Sequence, residues 1–222
     1  LEKLEAIPSQ SERNKAVKTW HEQKKLRKAQ GLSDQLELIH PSLMYTWFLP
    51  FWRGAWGHRM IANELKFMAL PKPSKDVLHK MGLADEPYVA VKFYKSGCLR
   101  QNEQSERIIS DLIERLTREY KVVVLDTEFR VDDHSGYHIR ESDRVVNLAR
   151  YCTAENNLAL QTEVVAHAEA FYGTYGGFSY LAPLCGVNSY NYYDSMRAIL
   201  MGGHAEVAEK AFNQSPFGQF HP

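Results

Sequence analysis

KVVVLDT, Lys121–Thr127, is a near-continuous β-branched run. A strand with one wet face alternates apolar and polar residues, whereas a strand covered on both faces reads apolar throughout, as this one does. Just before it, Glu103–Tyr120 carries Ile108, Ile109, Leu112, Ile113 and Leu116, a stripe at helical spacing. The same alternation continues outward. YVAVKFY (88–94) reads as a strand ahead of that helix, and DRVVNLA (143–149) as a strand after KVVVLDT. Asn157–Ala168 reads as a helix, EAFYGT (169–174) as a strand, Gly177–Cys185 as a helix and VNSYNYY (187–193) as a fifth strand. Strands alternating with helices predict an α/β fold with a Rossmann-like, mostly parallel sheet and flanking helices. Ligands of such sheets bind beyond the carboxyl ends of the strands.

The alternation defines a domain over residues 86–194. Residues 1–85 read instead as a helical and irregular region or linker, the end of a truncated domain. Within it, Ser11–Gln30 holds Arg13, Lys15, Lys18, Lys24, Lys25, Arg27 and Lys28 against Glu12 and Glu22, a solvated helix face with Val17, Trp20 and Leu26 turned inward. HPSLMYTWFLPFWRGAWGH (40–58) is aromatic without periodicity, which fits either an interface or an irregular stretch on a core. PKPS (71–74) starts a short helix running to Met81. Residues 195–222 read as helices at Met196–Leu200 and His204–Phe212, then a tail with Pro and Gly.

Composition narrows the function. Lys plus Arg is 27 and Asp plus Glu is 27, so no net charge draws the chain to nucleic acid or an anionic membrane. No apolar run approaches the roughly 20 residues of a membrane span. Cys98, Cys152 and Cys185 are an odd, widely spaced set without CxxC, which points to a reducing, cytoplasmic setting with no disulfide framework and no zinc site. The chain begins at Leu1 and shows no signal peptide, as expected of a piece of a longer protein.

A dinucleotide fingerprint would follow the first strand as GxGxxG, but that position reads KSGCLRQNEQS, with one glycine. The chain also lacks the GxxxxGK[ST] of a P-loop and the GxSxG of a nucleophile elbow. The glycines cluster after the fourth strand, in FYGTYGGFSYLAPLCGV (171–187). Gly173, Gly176 and Gly177 would let the backbone approach a ligand, and a helix starting near Gly177 would present free N–H groups to an anion. Thr174, Tyr175 and Ser179 would add hydroxyl donors, so a diphosphate fits the stretch. A turn needed only for close strand–helix packing fits it equally. Lys95, Ser96 and Arg100 follow the first strand, where cations could meet the same phosphates. Asp126, Thr127 and Glu128 follow the second, and Thr153, Glu155 and Asn156 the third. These would hold a base or ribose, or would simply cap and turn the chain. In DDHSGYH (132–138), His134 and His138 stand four apart beside Asp132 and Asp133, but Ser135–Gly136 makes the segment a loop, and no metal is expected.

The runs ISDLIERLTREYKVVVLDT (109–127) and NNLALQTEVVAHAEAFYGTYGGFSYLAPLCGV (156–187) resemble the donor-binding, C-terminal half of GT-B-fold glycosyltransferases. In that family a helix ends in a pair like Ala168–Glu169. A short strand then leads to a glycine- and serine-bearing loop, and the next helix closes on a pattern like LAPLCGV. Asn188 departs from it, standing where proline is common. The resemblance covers residues 88–194. It implies transfer of a sugar from a nucleotide-diphospho-sugar, without an essential metal or other cofactor, to a glycan or other small acceptor. It places Gly173–Ser179, Phe178 included, on the diphosphate or sugar, has Lys95 or Arg100 offset the leaving charge, and puts the nucleoside near Asp126 and Thr153. The acceptor and the catalytic base would come from an N-terminal domain for which the residues before Pro87 leave no room, and no base is named. A nucleotide-sugar epimerase or pyruvyl-type transferase, a non-catalytic module docking through Trp47 and Trp52, and an NAD(P) enzyme are the competing readings.

Overall fold

The computed structural model describes residues 69–127, 135–194, 198–213 (198–204 as backbone) and 218–222. The chain divides into two units, Leu1–Ile61 and Ala62–Pro222, and every described residue belongs to the second. The expectations for the basic stretch 11–30, the aromatic stretch 40–58, Glu128 and Asp132–His134 lie outside the described residues.

The strands are β1 Tyr88–Lys92, β2 Tyr94–Lys95, β3 Lys121–Val124, β4 Ser135–Gly136, β5 Val145–Asn147, β6 Ala170–Thr174, β7 Asn188–Tyr192 and β8 Phe220–His221. Six of them form one sheet in the order β5-β3-β1-β6-β7-β8, with every pairing parallel. Strands β2 and β4 make a small antiparallel ribbon. Counted within the large sheet alone, the order is 3-2-1-4-5-6. This is the doubly wound order, in which the direction of winding reverses between β1 and β6.

The helices are α1 Asp76–Lys80, α2 Glu103–Leu116, α3 Asn157–Ala166, α4 Gly177–Leu184 and α5 Ala198–Asn213. Tyr88 and Ala90 of β1 pack with Val77 and Leu78 of α1, Val164 and Val165 of α3 and Ala182 of α4. Val89 and Val91 point the other way and pack with Ile109, Leu112, Ile113 and Leu116 of α2. These four are the buried residues of α2, while Ile108 is 43% exposed because it falls just off the stripe. Val122, Val123, Val124 and Leu125 are all buried, which is why KVVVL reads apolar at every position. A third cluster joins Ala205, Ala208 and Phe212 of α5 to Phe220 of β8 and Tyr175.

The LAPLCGV segment ends α4 in a Schellman motif. Val187 N–H donates to Ala182 C=O and Gly186 N–H to Pro183 C=O, with Gly186 at φ +82°. The left-handed conformation there requires glycine.

The structure corrects the sequence reading in four places. The first strand stops at Lys92, and Tyr94–Lys95 leaves the sheet to pair with Ser135–Gly136, which is therefore a strand and not a loop. The third strand is only Val145–Asn147, because Asn147 caps a 3-10 turn at Leu148–Tyr151 by accepting Ala149 N–H. The two C-terminal helices are one. It continues through Gly202 and Gly203, each costing about 1 kcal/mol against Ala in a helix interior, and burial of Ala205, Val207, Ala208, Ala211 and Phe212 offsets that cost. The tail contributes the sixth strand, which side chains help to hold at its start. Asn188 Oδ1 accepts Gln219 N–H and Asn213 Oδ1 accepts Phe220 N–H.

Candidate functional site

The reversal between β1 and β6 is the place where a sheet of this order opens a crevice at its carboxyl edge. Here the two strand ends are tied together. Tyr94 N–H donates to Thr174 Oγ1, and the Thr174 hydroxyl donates to Tyr94 C=O, both at 3.0 Å. The Tyr94 hydroxyl reaches further and donates to Tyr175 C=O at 3.2 Å. Beyond Tyr94 the chain continues over the ends of β6 and β7. Asp194 N–H donates to Cys98 C=O, and Cys98 packs with Tyr175, Tyr180 and Tyr193. That part of the edge is filled by protein.

The glycine turn has two faces. Gly173, Thr174, Tyr175 and Ser179 are buried. A Cβ on Gly173 would lie 2.5 Å from Lys92 O, and one on Gly176 would lie 2.0 Å from the Tyr94 hydroxyl. Gly176 has an extended backbone, so its requirement is space and not dihedral freedom. The hydroxyls expected to meet phosphate are engaged within the protein. Thr174 bonds Tyr94, Tyr175 bonds Tyr180, and Ser179 accepts Gly176 N–H at 3.0 Å while lying 3.4 Å from Thr174 C=O. Burial pushes the Tyr175 phenol far above its usual value, and the neighbouring Tyr180 adds to that. The close-packing reading therefore accounts for the first part of the stretch. Gly177 is exposed, Phe178 is half-buried, and a Cβ on Gly177 would meet nothing within 4 Å. Their N–H groups open α4 and have no acceptor within the helix.

The starts of α2 and α4 differ in charge and in capping. At α2, Asn102 Oδ1 accepts Ser105 N–H at 2.8 Å, and Glu103 and Glu106 lie in the first turn. A pyrophosphate at that start would face two carboxylates. At α4 the first turn has no acidic residue and the N-cap is Gly176. The helix that serves a dinucleotide in the fingerprint arrangement is thus closed to an anion, whereas the one after β6 is open.

Lys92, which does not stand out in the sequence, is a cation beside that opening. It is the last residue of β1, and its Nζ donates to Leu125 C=O at 3.0 Å and to Gln161 Oε1 at 2.6 Å. It also sits 4.8 Å from the centre of the Phe178 ring. Gln161 is buried in α3 and is oriented by Asn157. The ammonium so joins the end of β3, the face of α3 and the first turn of α4. Burial pushes the Cys152 thiol up, against the pull of the Lys92 charge. The signal was present in YVAVK, as a lysine closing an otherwise apolar strand, but it was absorbed into the strand.

The other candidates divide. Asp126 and Thr127 follow Leu125 directly, with Asp126 Oδ1 accepting Thr127 N–H at 2.8 Å and the carboxylate lying against Gly136. Thr153, Glu155 and Asn156 form the turn into α3. Asn156 Oδ1 accepts Thr153 N–H, and the exposed Glu155 carboxyl is held below its usual value by its own N–H and the Thr153 hydroxyl. Both groups border the Lys92 cluster through Leu125 and through α3. Lys95 and Arg100 do not join them. Lys95 Nζ lies 5.8 Å from the Tyr137 ring centre, and Arg100 lies 4.0 Å from Asp194. No group of three or more metal-ligating side chains occurs among the described residues, and no described helix is long and apolar enough to cross a membrane.

No protein-family model matches the chain, and no curated protein matches it. Among solved structures it is similar to the bacterial iron-containing dodecameric glycosyltransferase TibC from enterotoxigenic E. coli H10407. That match has 19% identity and a TM-score of 0.34, and it covers 55% of this chain and 29% of TibC. A likeness of that extent says nothing about the site.

Proposed function

We propose that this chain carries the donor site of a glycosyltransferase and binds a nucleotide-diphospho-sugar at the carboxyl edge of its sheet. The observation that carries the reading is the open, acid-free start of α4 beside the Lys92 ammonium, at the reversal of a 3-2-1-4-5-6 sheet. The diphosphate would lie against the N–H groups of Gly177 and Phe178, with Lys92 in the role the sequence assigned to Lys95 or Arg100. Gly173, Thr174, Tyr175, Gly176 and Ser179 would shape the turn. The nucleoside would extend toward Asp126, Thr127, Thr153, Glu155 and Asn156. In sugar transfer the bond from the anomeric carbon to the diphosphate oxygen breaks, and the electron pair leaves with the nucleoside diphosphate. Oriented N–H groups and a nearby ammonium stabilise that charge as it develops. The acceptor and a catalytic base are assigned to residues beyond this domain.

A thermal-shift panel against UDP, GDP, ADP, CMP and NAD tests the reading. A ligand at 100 times its Kd stabilises by about 2.7 kcal/mol, so a shift with one nucleoside diphosphate and none with NAD is expected. A shift with NAD alone, or with none of the five, would overturn it.

A further inference from the structure

Among the groups that hold the Lys92 ammonium are two neutral oxygens, Leu125 C=O at 3.0 Å and Gln161 Oε1 at 2.6 Å. An ammonium only donates, so Gln161 must face it with its carbonyl oxygen. The amide nitrogen is thereby turned to Asn157 and donates to Asn157 Oδ1. The two residues stand four apart in α3, so they are neighbours on one face of the helix. Gln161 is 2% exposed, and α3 is itself anchored beside it. Glu163 Oε1 accepts Val77 N–H at 2.6 Å and Leu78 N–H at 3.1 Å, and Val164 and Val165 are buried. The amide that meets Lys92 is therefore fixed both in rotation and in place.

We infer that Gln161 is a positioning residue, which holds the Lys92 ammonium beside the α4 start for a diphosphate and adds no charge that would repel it. This rests on the donor-site reading and adds the residue that sets its cation. A carboxylate at position 161 would hold the ammonium as well. It would also bring a charge of the ligand's own sign next to the group meant to attract that ligand. An amide gives the same acceptor without that charge. Burying it costs free energy unless both its ends are bonded, and here they are, to Lys92 and to Asn157.

The test measures Kd by titration calorimetry on the full 222-residue chain. The probes are inorganic pyrophosphate and the nucleoside diphosphate giving the largest thermal shift. Wild type is compared with Gln161→Met, Gln161→Glu, Lys92→Met and the double variant Lys92→Met/Gln161→Met. Gln161→Met keeps an unbranched side chain and loses the acceptor. It should weaken both probes by about three- to thirtyfold, because the ammonium is then in place in only part of the molecules. In the Lys92→Met background the same change should leave Kd within about twofold, since no ammonium remains to be positioned. A merely structural role would cost the same in both backgrounds. Gln161→Glu keeps an acceptor and should still weaken both probes, by about threefold or more, through its charge. It carries the test alone should Gln161→Met not fold. Wild-type affinity in any of the three single variants, or an equal loss in both backgrounds, would overturn the positioning role and leave the donor site standing. If wild type binds neither probe, the donor-site reading falls and the role falls with it.

Discussion

The helices after β1 and β6 start at the same edge of the same sheet, on either side of its reversal. The α2 start is finished by its own side chains, with Asn102 capping it and Glu103 and Glu106 answering the positive end of the helix. The α4 start has no acid in its first turn and no side chain on its N-cap Gly176, Ser179 there answers only the Gly176 N–H, and a half-buried lysine stands next to it. The contrast teaches that position in the topology does not by itself make an anion site. The residues of the first turn decide whether the helix end serves stability or a ligand.

The largest expected effect comes from making α4 start like α2. Gly177→Glu puts a carboxylate where nothing stands within 4 Å. Repulsion of about 1–4 kcal/mol at 4 Å should weaken nucleoside diphosphate binding by about five- to several-hundredfold or more. Thermal stability should hold or rise, because an acid at a helix start adds about 0.3–1 kcal/mol. Calorimetry and a melting curve read the two opposite signs, and unchanged affinity would remove the α4 start from the site. Next in size is Lys92→Met, which keeps an unbranched side chain of similar length and removes the charge that sits over Phe178. Losing a charged hydrogen bond to the diphosphate is worth about 1.5–3 kcal/mol, or roughly ten- to hundredfold in Kd. A Kd within twofold of wild type would take Lys92 out of the donor site.

The α2 side should respond in stability alone. Asn102→Ala removes the cap and should cost about 1 kcal/mol in urea unfolding, with nucleotide affinity unchanged. Altered affinity there would erase the distinction between the two starts. The smallest effect is Glu103→Gln, a few tenths of a kcal/mol that shrinks as salt is added. A loss that persists at 1 M NaCl would mean that Glu103 acts through something other than the helix dipole.

Legibility followed the range of the interactions. The α2 stripe is readable because a helix repeats its buried face every three to four residues, and the four residues it buries all belong to the stripe seen in the sequence. The glycine turn was recognisable as special, but the direction of its hydroxyls was not. Thr174, Tyr175 and Ser179 bond Tyr94, Tyr180 and Gly176, and the partner of Thr174 lies 80 residues away. Lys92 was missed for the same reason, since Leu125 and Gln161 become its neighbours only across the sheet. Strand β8 has two residues and no period to detect, and its place is set by the side chains of Asn188, Asn191 and Asn213.

By itself, the sequence determined the α/β class, the parallel sheet with both faces covered at its centre, and the turn after β6 as the exceptional loop. Those follow from local periodicity, β-branching and glycine, which each segment carries alone. The strand order, the reversal between β1 and β6, the tie between Tyr94 and Thr174 and the placing of Lys92 at the α4 start were decided only in the tertiary structure. They depend on which distant segments lie side by side, and a side chain's chemistry is set by the groups it meets there.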